Sequence, residues 1–228
     1  MIFIYIRHGD PIYDPDSLTD LGKDQAEDVA KYLLKYGADK LYSSTSNRAI
    51  LTAKPSAEIL GKEIWPLDFA SEYHVWDKLT FETPTGKEWL FKLSEIKELF
   101  HSKEMIDLGY EWYKHPTFVN KSYEEEIKRI QTESDHFFDS LGYQHLGNGK
   151  YKIIQETDDK IVMFAHQGFG LAFLSLVLGI PYPHFCTHFN LGHAEITIIE
   201  FKNECGYSYP KVKTLCYDGH LKKSNSNH

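Results

Sequence analysis

Hydrophobic positions in this chain follow two alternating rhythms. Ile2 to Ile6 is an unbroken run of β-branched and aromatic residues, the pattern of a strand buried on both faces of an α/β sheet. After a polar turn, Ala26, Val29, Ala30, Leu33 and Leu34 recur at helical spacing, with Thr19 placed to cap the helix and Gly37 to stop it. Lys40 to Ser43 predicts a second strand and Ile64 to Leu67 a third. Between them, Asn47 to Leu60 predicts a helix that Pro55 must either kink or begin in regular form. From about Tyr73 to Gly149 the alternation breaks. That segment is rich in aromatics and charges and shows no strand pattern. Its one clear helix opens with a Ser122-x-x-Glu125 capping box and runs through Tyr123, Ile127, Ile130, Phe137 and Leu141. Strand and helix then resume, with strands at Tyr151 to Gln155 and Ile161 to Ala165 and a buried helix at Gly168 to Gly179. Ala194 to Phe201 and Val212 to Tyr217 close the pattern as strands, before a polar tail at Lys222 to His228.

The sum predicts an α/β fold, a three-layer α/β/α sandwich with a mostly parallel central sheet. Residues 1–228 are expected to form one domain with a helical insert at about 73–149. Composition fits, since 42% hydrophobic and 25% charged residues over 228 positions are enough for one substantial globular core. The 33 acidic against 25 basic side chains give a net charge of −8, which leaves no basic footprint for a nucleic-acid partner. The longest apolar stretch, around Ile161 to Ile180, is interrupted by His166 and Gln167, so no membrane partner is expected either. The first residues lack the basic region and cleavage site of a signal peptide. Three cysteines without close pairing suit a reducing compartment. A cytoplasmic location is therefore expected, and oligomeric state has no signature in the sequence.

Candidate chemistry gathers where predicted strands end. Arg7, His8 and Gly9 leave the first strand at its C-terminal edge, the place where open α/β sheets bind ligands. An imidazole there can attack phosphorus, an arginine can neutralise the phosphoryl oxygens, and a glycine admits close backbone approach; a structural turn histidine is the plainer alternative. The second strand ends in the polar turn Ser43-Ser44-Thr45-Ser46-Asn47, followed directly by Arg48. The chain has only three arginines, Arg7, Arg48 and Arg129, so guanidinium is used sparingly, as though its bidentate geometry matters at the two strand ends. Arg129, on the insert helix, suits an ordinary ion pair. His166 follows the strand Ile161 to Ala165 and precedes Gln167-Gly168 at a helix start, where backbone N–H groups favour an anion.

These pieces resemble the histidine phosphatase superfamily, the phosphoglycerate-mutase-like or RHG family. The matching stretches are IRHG at Ile6 to Gly9, LTDLGKDQA at Leu18 to Ala26, LYSSTSNRAILTA at Leu41 to Ala53, Glu72, KSYEEEIKRI at Lys121 to Ile130, and FAHQG at Phe164 to Gly168. The match runs nearly end to end and is poorest from Tyr73 to about Lys121. The resemblance implies a metal-independent phosphatase, hydrolysing a phosphomonoester through a phosphohistidine on His8. Arg7, Arg48 and His166 would then bind phosphate, and Glu72 would act as proton donor and later as base, with Glu82 and Glu88 nearby. Gly9, Ser44, Gln167 and Asp14 are candidate pocket neighbours, and His74 either faces or covers the same pocket. No cofactor is expected, and the partners implied are a small phosphorylated metabolite or a phosphoprotein, with inorganic phosphate as product.

Asp14 departs from the family pattern, because it stands where many relatives carry a phosphate-donating Asn. An ionised carboxylate cannot donate, so Asp14 either turns away or meets a cationic or hydroxyl group of the substrate. Mutase elaborations are not recognisable in the insert, which favours hydrolysis over phosphoglycerate-mutase-type transfer; a catalytically inactive phospholigand-binding module is the other alternative. Tyr73, Trp76, Trp89, Phe91, Trp112 and Tyr113 would either line a recognition pocket or pack a cap. His184, Cys186, His188 and His193 offer zinc-type ligands around a proline-rich turn, but their spacing fits no standard module and no metal is assigned; the alternative is that His188 or His193 borders the phosphate pocket, since the strand Ala194 to Phe201 resembles the family's closing strand.

Overall fold

The computed structural model describes residues 1–119 and 122–222. Its central sheet has six strands in the order Lys211–Tyr217, Ile196–Glu200, Ile2–Arg7, Lys160–Ala165, Lys40–Ser44 and Ile64–Leu67. The last four run parallel to one another, and Ile196–Glu200 is antiparallel to both of its neighbours. The sheet is thus mostly parallel, and its parallel strands all end at one edge.

The apolar run of Ile2–Arg7 feeds two cores at once because successive side chains of a strand point to opposite faces. Phe3 and Tyr5 join Phe138, Met163, Phe169 and Phe173 on one side. Ile4 and Ile6 join Val29, Leu33, Leu41, Ala53, Val162 and Phe164 on the other. Helices Asp20–Tyr36 and Asn47–Leu60 cover the second face, while Tyr123–Ser140 and Gln167–Leu178 cover the first. That is the three-layer arrangement. Thr19 caps the first helix by accepting from Gly22 N at 3.0 Å, and Asn47–Leu60 continues through Pro55 as one helix.

Several local expectations are corrected. The segment after Tyr73 contains strands: Thr80–Thr83 and Gly86–Trp89 form a hairpin, and Tyr143–His145 pairs with Tyr151–Ile153, which also pairs with Tyr207–Ser208. Strands of two to four residues are too short to display a period-two pattern, and the hairpin's Lys, Glu and Thr side chains hide what little there is. Ser122 makes no side-chain capping bond; the helix begins at Tyr123 with Glu124, Glu125 and Glu126 in its first turn, where carboxylates favour the helix N-terminus. Tyr182–His188, read as a turn, is helical, with Pro183 in the first turn where a missing N–H costs nothing. Lys121 and the tail beyond Lys222 lie outside the described residues.

Candidate active site

The parallel strands deliver their C-terminal ends to one cavity of about 790 Å3, lined among others by Arg7, His8, Arg48, Glu72, Trp89 and Gln167. Arg7 ends the first strand and His8 follows it. Ser44 ends Lys40–Ser44, Arg48 is the second residue of the next helix, and His166 caps Gln167–Leu178. Glu72 starts the short helix Glu72–Lys78 that follows Ile64–Leu67.

His8 is 3% exposed, and its backbone N–H donates to Ala165 O at 2.9 Å, fixing it to the neighbouring strand. Its Nδ1 lies 2.7 Å from the Gly9 carbonyl, so Nδ1 carries the proton and donates. Nε2 therefore keeps its lone pair, which accepts from Arg48 Nε at 3.3 Å. Burial, with Arg7 and Arg48 alongside, pushes the imidazole pKa down to about 2. The ring is a neutral base with one nitrogen directed toward a guanidinium.

Gly9 does something other than approach an anion. A Cβ on it would stand 2.6 Å from Gly22 O, so glycine lets the strand end press against the first turn of Asp20–Tyr36. Its N–H donates to Thr52 Oγ1 at 2.9 Å, tying the same turn to the second helix.

Glu72 and His166 face each other at the back of the site. Glu72 Oε1 accepts from Gly168 N at 2.9 Å, and Oε2 stands 3.6 Å from His166 Nδ1. Burial raises the carboxyl pKa to about 7 against the opposing pull of Arg48, Arg7 and the Gly168 N–H. His166 is fully buried, its Nε2 lies 2.8 Å from Ser44 Oγ, and desolvation lowers its pKa well below the usual value. Tyr5 locks its backbone by donating to His166 O at 2.6 Å while accepting from His166 N at 3.2 Å. Three buried polar atoms here have no hydrogen-bond partner among the described residues: Arg7 Nε, Glu72 Oε2 and His166 Nδ1. A buried polar atom left unpaired costs roughly 1–3 kcal/mol, a cost that a ligand bonding to these atoms would remove.

The two arginines are held by different devices. Arg7 donates from Nη1 to Leu191 O and from Nη2 to His193 Nε2, both at 2.7 Å. That contact requires His193 to accept, so its proton sits on Nδ1, 3.4 Å from Asp10 Oδ1. Burial and the nearby guanidinium lower the His193 pKa to about 4, which keeps the acceptor available. Ala194, at φ +57°, turns the chain there and donates its N–H to Arg7 O at 3.0 Å. Arg48 is held by Asp16, Nη1 to Oδ1 at 2.8 Å, with the Tyr13 ring 5.5 Å away. Asp16 also accepts from Asn47 N at 2.8 Å, so one carboxylate orients the arginine and the turn that carries it.

The sequence-predicted residues His8, Arg7, Arg48, Glu72 and His166 thus come together. Ser44 sits behind His166, and Gln167 lines the cavity while donating to Asn190 Oδ1 at 2.5 Å. Asp14 is not among the lining residues: it is exposed at the turn of the Pro11–Tyr13 and Asp16–Leu18 hairpin. That answers the charge conflict, since the carboxylate of Asp14 turns away and Asp16 is the one at the site. His74 faces Asp68 at 3.4 Å instead of the cavity. Arg129 pairs with buried Glu126 at 2.5 Å. The zinc-type run is dispersed, with Cys186 buried against Pro183 O, His188 beside His101, and His193 on Arg7. Sequence reasoning missed Tyr13, Asp16, Ser46, Lys87 and Lys92, all at the cavity. None of them had a usable signal, since the hairpin that places Tyr13 and Asp16 has strands of only three residues.

The family model described as the histidine phosphatase superfamily (branch 1) matches residues 4–208. No curated protein matches the chain significantly. Among solved structures, phosphoserine phosphatase from Entamoeba histolytica in complex with 3-phosphoglyceric acid is 20% identical with a TM-score of 0.63, covering 97% of this chain and 99% of that one. Mycobacterial glucosyl-3-phosphoglycerate phosphatase in complex with VO3 is 17% identical at a TM-score of 0.62, covering 95% and 99%. A putative alpha-ribazole-5'-P phosphatase from Escherichia coli is 15% identical at 0.61, covering 95% and 96%. At these identities the likeness establishes a shared fold.

Proposed function

The chain belongs to the histidine phosphatase superfamily, and from that premise we propose that it hydrolyses a phosphomonoester through a phosphohistidine on His8, without a metal. The observation that carries the reading is the gathering of unpaired buried polar atoms beside a neutral His8: Arg7 and Glu72 line its cavity, the His166 ring lies 5.1 Å from the His8 ring, and Arg7 Nε, His166 Nδ1 and Glu72 Oε2 have no hydrogen-bond partner among the described residues. A phosphoryl group placed there takes hydrogen bonds from the arginine and the histidine and offers its ester oxygen to the carboxyl.

The steps follow from the protonation states. His8 Nε2 forms a bond to phosphorus as the ester P–O bond breaks, and the proton on Nδ1 stays there, donated to Gly9 O, which stabilises the positive charge that develops on the ring. Glu72, raised to about 7, holds a proton near neutrality and delivers it to the leaving oxygen. As a carboxylate it then takes a proton from water, whose oxygen attacks phosphorus and releases inorganic phosphate and neutral His8. Arg7 and Arg48 supply the fixed positive charge that the transferring phosphoryl group requires. No step calls on a divalent ion.

The test is hydrolysis of p-nitrophenyl phosphate in the presence of a chelator by wild type, His8→Ala and Glu72→Ala. The reading predicts chelator-resistant turnover that disappears in His8→Ala. Glu72→Ala should lose less on this ester than on an alkyl phosphate, because nitrophenolate leaves without a proton. Chelator-sensitive turnover, or full activity in His8→Ala, would contradict the reading.

A further inference from the structure

The phosphatase reading leaves open which alcohol the phosphate is attached to. In an in-line displacement the leaving oxygen lies opposite the attacking nitrogen, and the residue that protonates it marks where the alcohol emerges. On that reading the marker is Glu72, and Glu72 is bordered by rings. A Cβ on Gly168 would meet Glu72 Oε1 at 2.5 Å and the edge of Trp89 at 2.4 Å, so carboxyl and indole converge on the same spot at the start of Gln167–Leu178. Trp89 stands edge-to-face with Trp76, centroids 4.9 Å apart, and is backed by stacked Phe91 at 5.5 Å. Trp76 is 38% exposed, and Tyr73, next to Glu72 in the chain, is 73% exposed; both line the cavity. Exposed aromatic surface at the mouth of a polar cavity marks a binding surface.

The mouth's cations point away from a second anionic group. Lys87 is paired with Asp77 at 3.1 Å and Lys92 with Glu88 at 3.3 Å. Each lysine already has a carboxylate partner, and a ring seated on the aromatic surface calls on neither. A cavity of about 790 Å3 also exceeds what a phosphate on a three-carbon acid fills and is of the size that takes a ring-bearing ligand.

We propose that the alcohol portion of the substrate is a planar ring system, of nucleoside or aryl type, seated against Trp76, Trp89 and Tyr73. The proposal rests on the phosphatase reading for its orientation, and its test separates the two. Two substrate pairs share a primary alcohol as leaving group and differ in the ring: adenosine 5'-monophosphate against ribose 5-phosphate, and benzyl phosphate against cyclohexylmethyl phosphate. The flat-ring member of at least one pair is expected to have a kcat/KM higher by about tenfold or more, in keeping with base–aromatic stacking. Which pair shows it distinguishes nucleoside from aryl. Trp76→Ala should bring that ratio close to one. Tyr73→Ala, at a solvent-exposed position where folding is not at stake, should reduce it in the same direction. Tryptophan fluorescence titration of the His8→Ala protein with adenosine 5'-monophosphate and ribose 5-phosphate, and with the other pair, reads the same preference without turnover. Equal values within both pairs, or tighter binding and faster hydrolysis of phosphoserine or 3-phosphoglycerate than of any ring-bearing ester, would overturn the proposal. Failure of the phosphatase reading would show differently, as absence of His8-dependent hydrolysis, and the titration would still decide the ring preference.

Discussion

The floor of the cavity and its mouth are built by opposite means. At the floor, His8 and His166 are 3% and 0% exposed and immediately follow the ends of adjacent parallel strands. Each ionisable group named there is held by a specific partner: Arg48 by Asp16, Arg7 by His193 and Leu191 O, Glu72 by Gly168 N. At the mouth, Lys87, Lys92 and Tyr73 stand on a short hairpin, a single 3-10 turn and a seven-residue helix. Their ion pairs have side chains 38% to 53% exposed, where solvent screening leaves each worth about 0–1 kcal/mol. A rigid floor makes single atoms matter, whereas a mouth of exposed pairs works by shape and surface.

Substitutions should follow that division. The largest effect is expected for His8→Ala, a loss of at least about 10^4-fold in kcat, because no other group carries the covalent step; steady-state turnover of an alkyl phosphate measures it. Glu72→Gln should follow with about 10^3-fold on the same ester, the size of a missing general acid. In the wild type the proton on Glu72 is lost as pH rises through about 7, so kcat for alkyl esters should fall on that alkaline side, and the fall should vanish in Glu72→Gln. Stability carries the matching sign. A carboxyl raised from 4.5 in the unfolded chain to about 7 favours folding at low pH and weakens it as pH rises through that window. Glu72→Gln should therefore be more stable than wild type at pH 8 in urea denaturation, by up to roughly 3 kcal/mol.

Arg48→Lys should cost roughly 10^2-fold in kcat/KM despite conserving charge, since an ammonium cannot hold Asp16 and face His8 Nε2 together. Lys87→Ala, at the mouth, should change kcat by less than about threefold and stability by less than about 0.5 kcal/mol. A Lys87 effect as large as that of Arg48 would erase the contrast between floor and mouth.

The same division governs what could be read in advance. His8, Arg48 and His166 were legible because a buried parallel strand is a long apolar run and its end is where polarity returns. The triplet Arg7-His8-Gly9 and the turn before Arg48 sit at such endings. Glu72 lay just past a four-residue strand and was found through family resemblance more than periodicity. Asp16 and Asp10 act through contacts that no spacing announces; His193, a candidate only through the family likeness of the strand after it, meets Arg7 across 186 positions of chain. The hairpin bearing Lys87 and Trp89 was invisible because its strands are four residues long and mostly polar. Gly9 stands at the strand end that the sequence indicates, but its missing side chain makes room for Gly22.

The central claim is that His8 carries the phosphoryl group. Mixing the protein with p-nitrophenyl phosphate, quenching in alkali within milliseconds and locating phosphate by mass spectrometry tests it most directly. The account predicts one phosphate per chain on His8, stable to base, labile to acid, and absent from His8→Ala. Turnover with no covalent species, or with phosphate on any other residue, would contradict it.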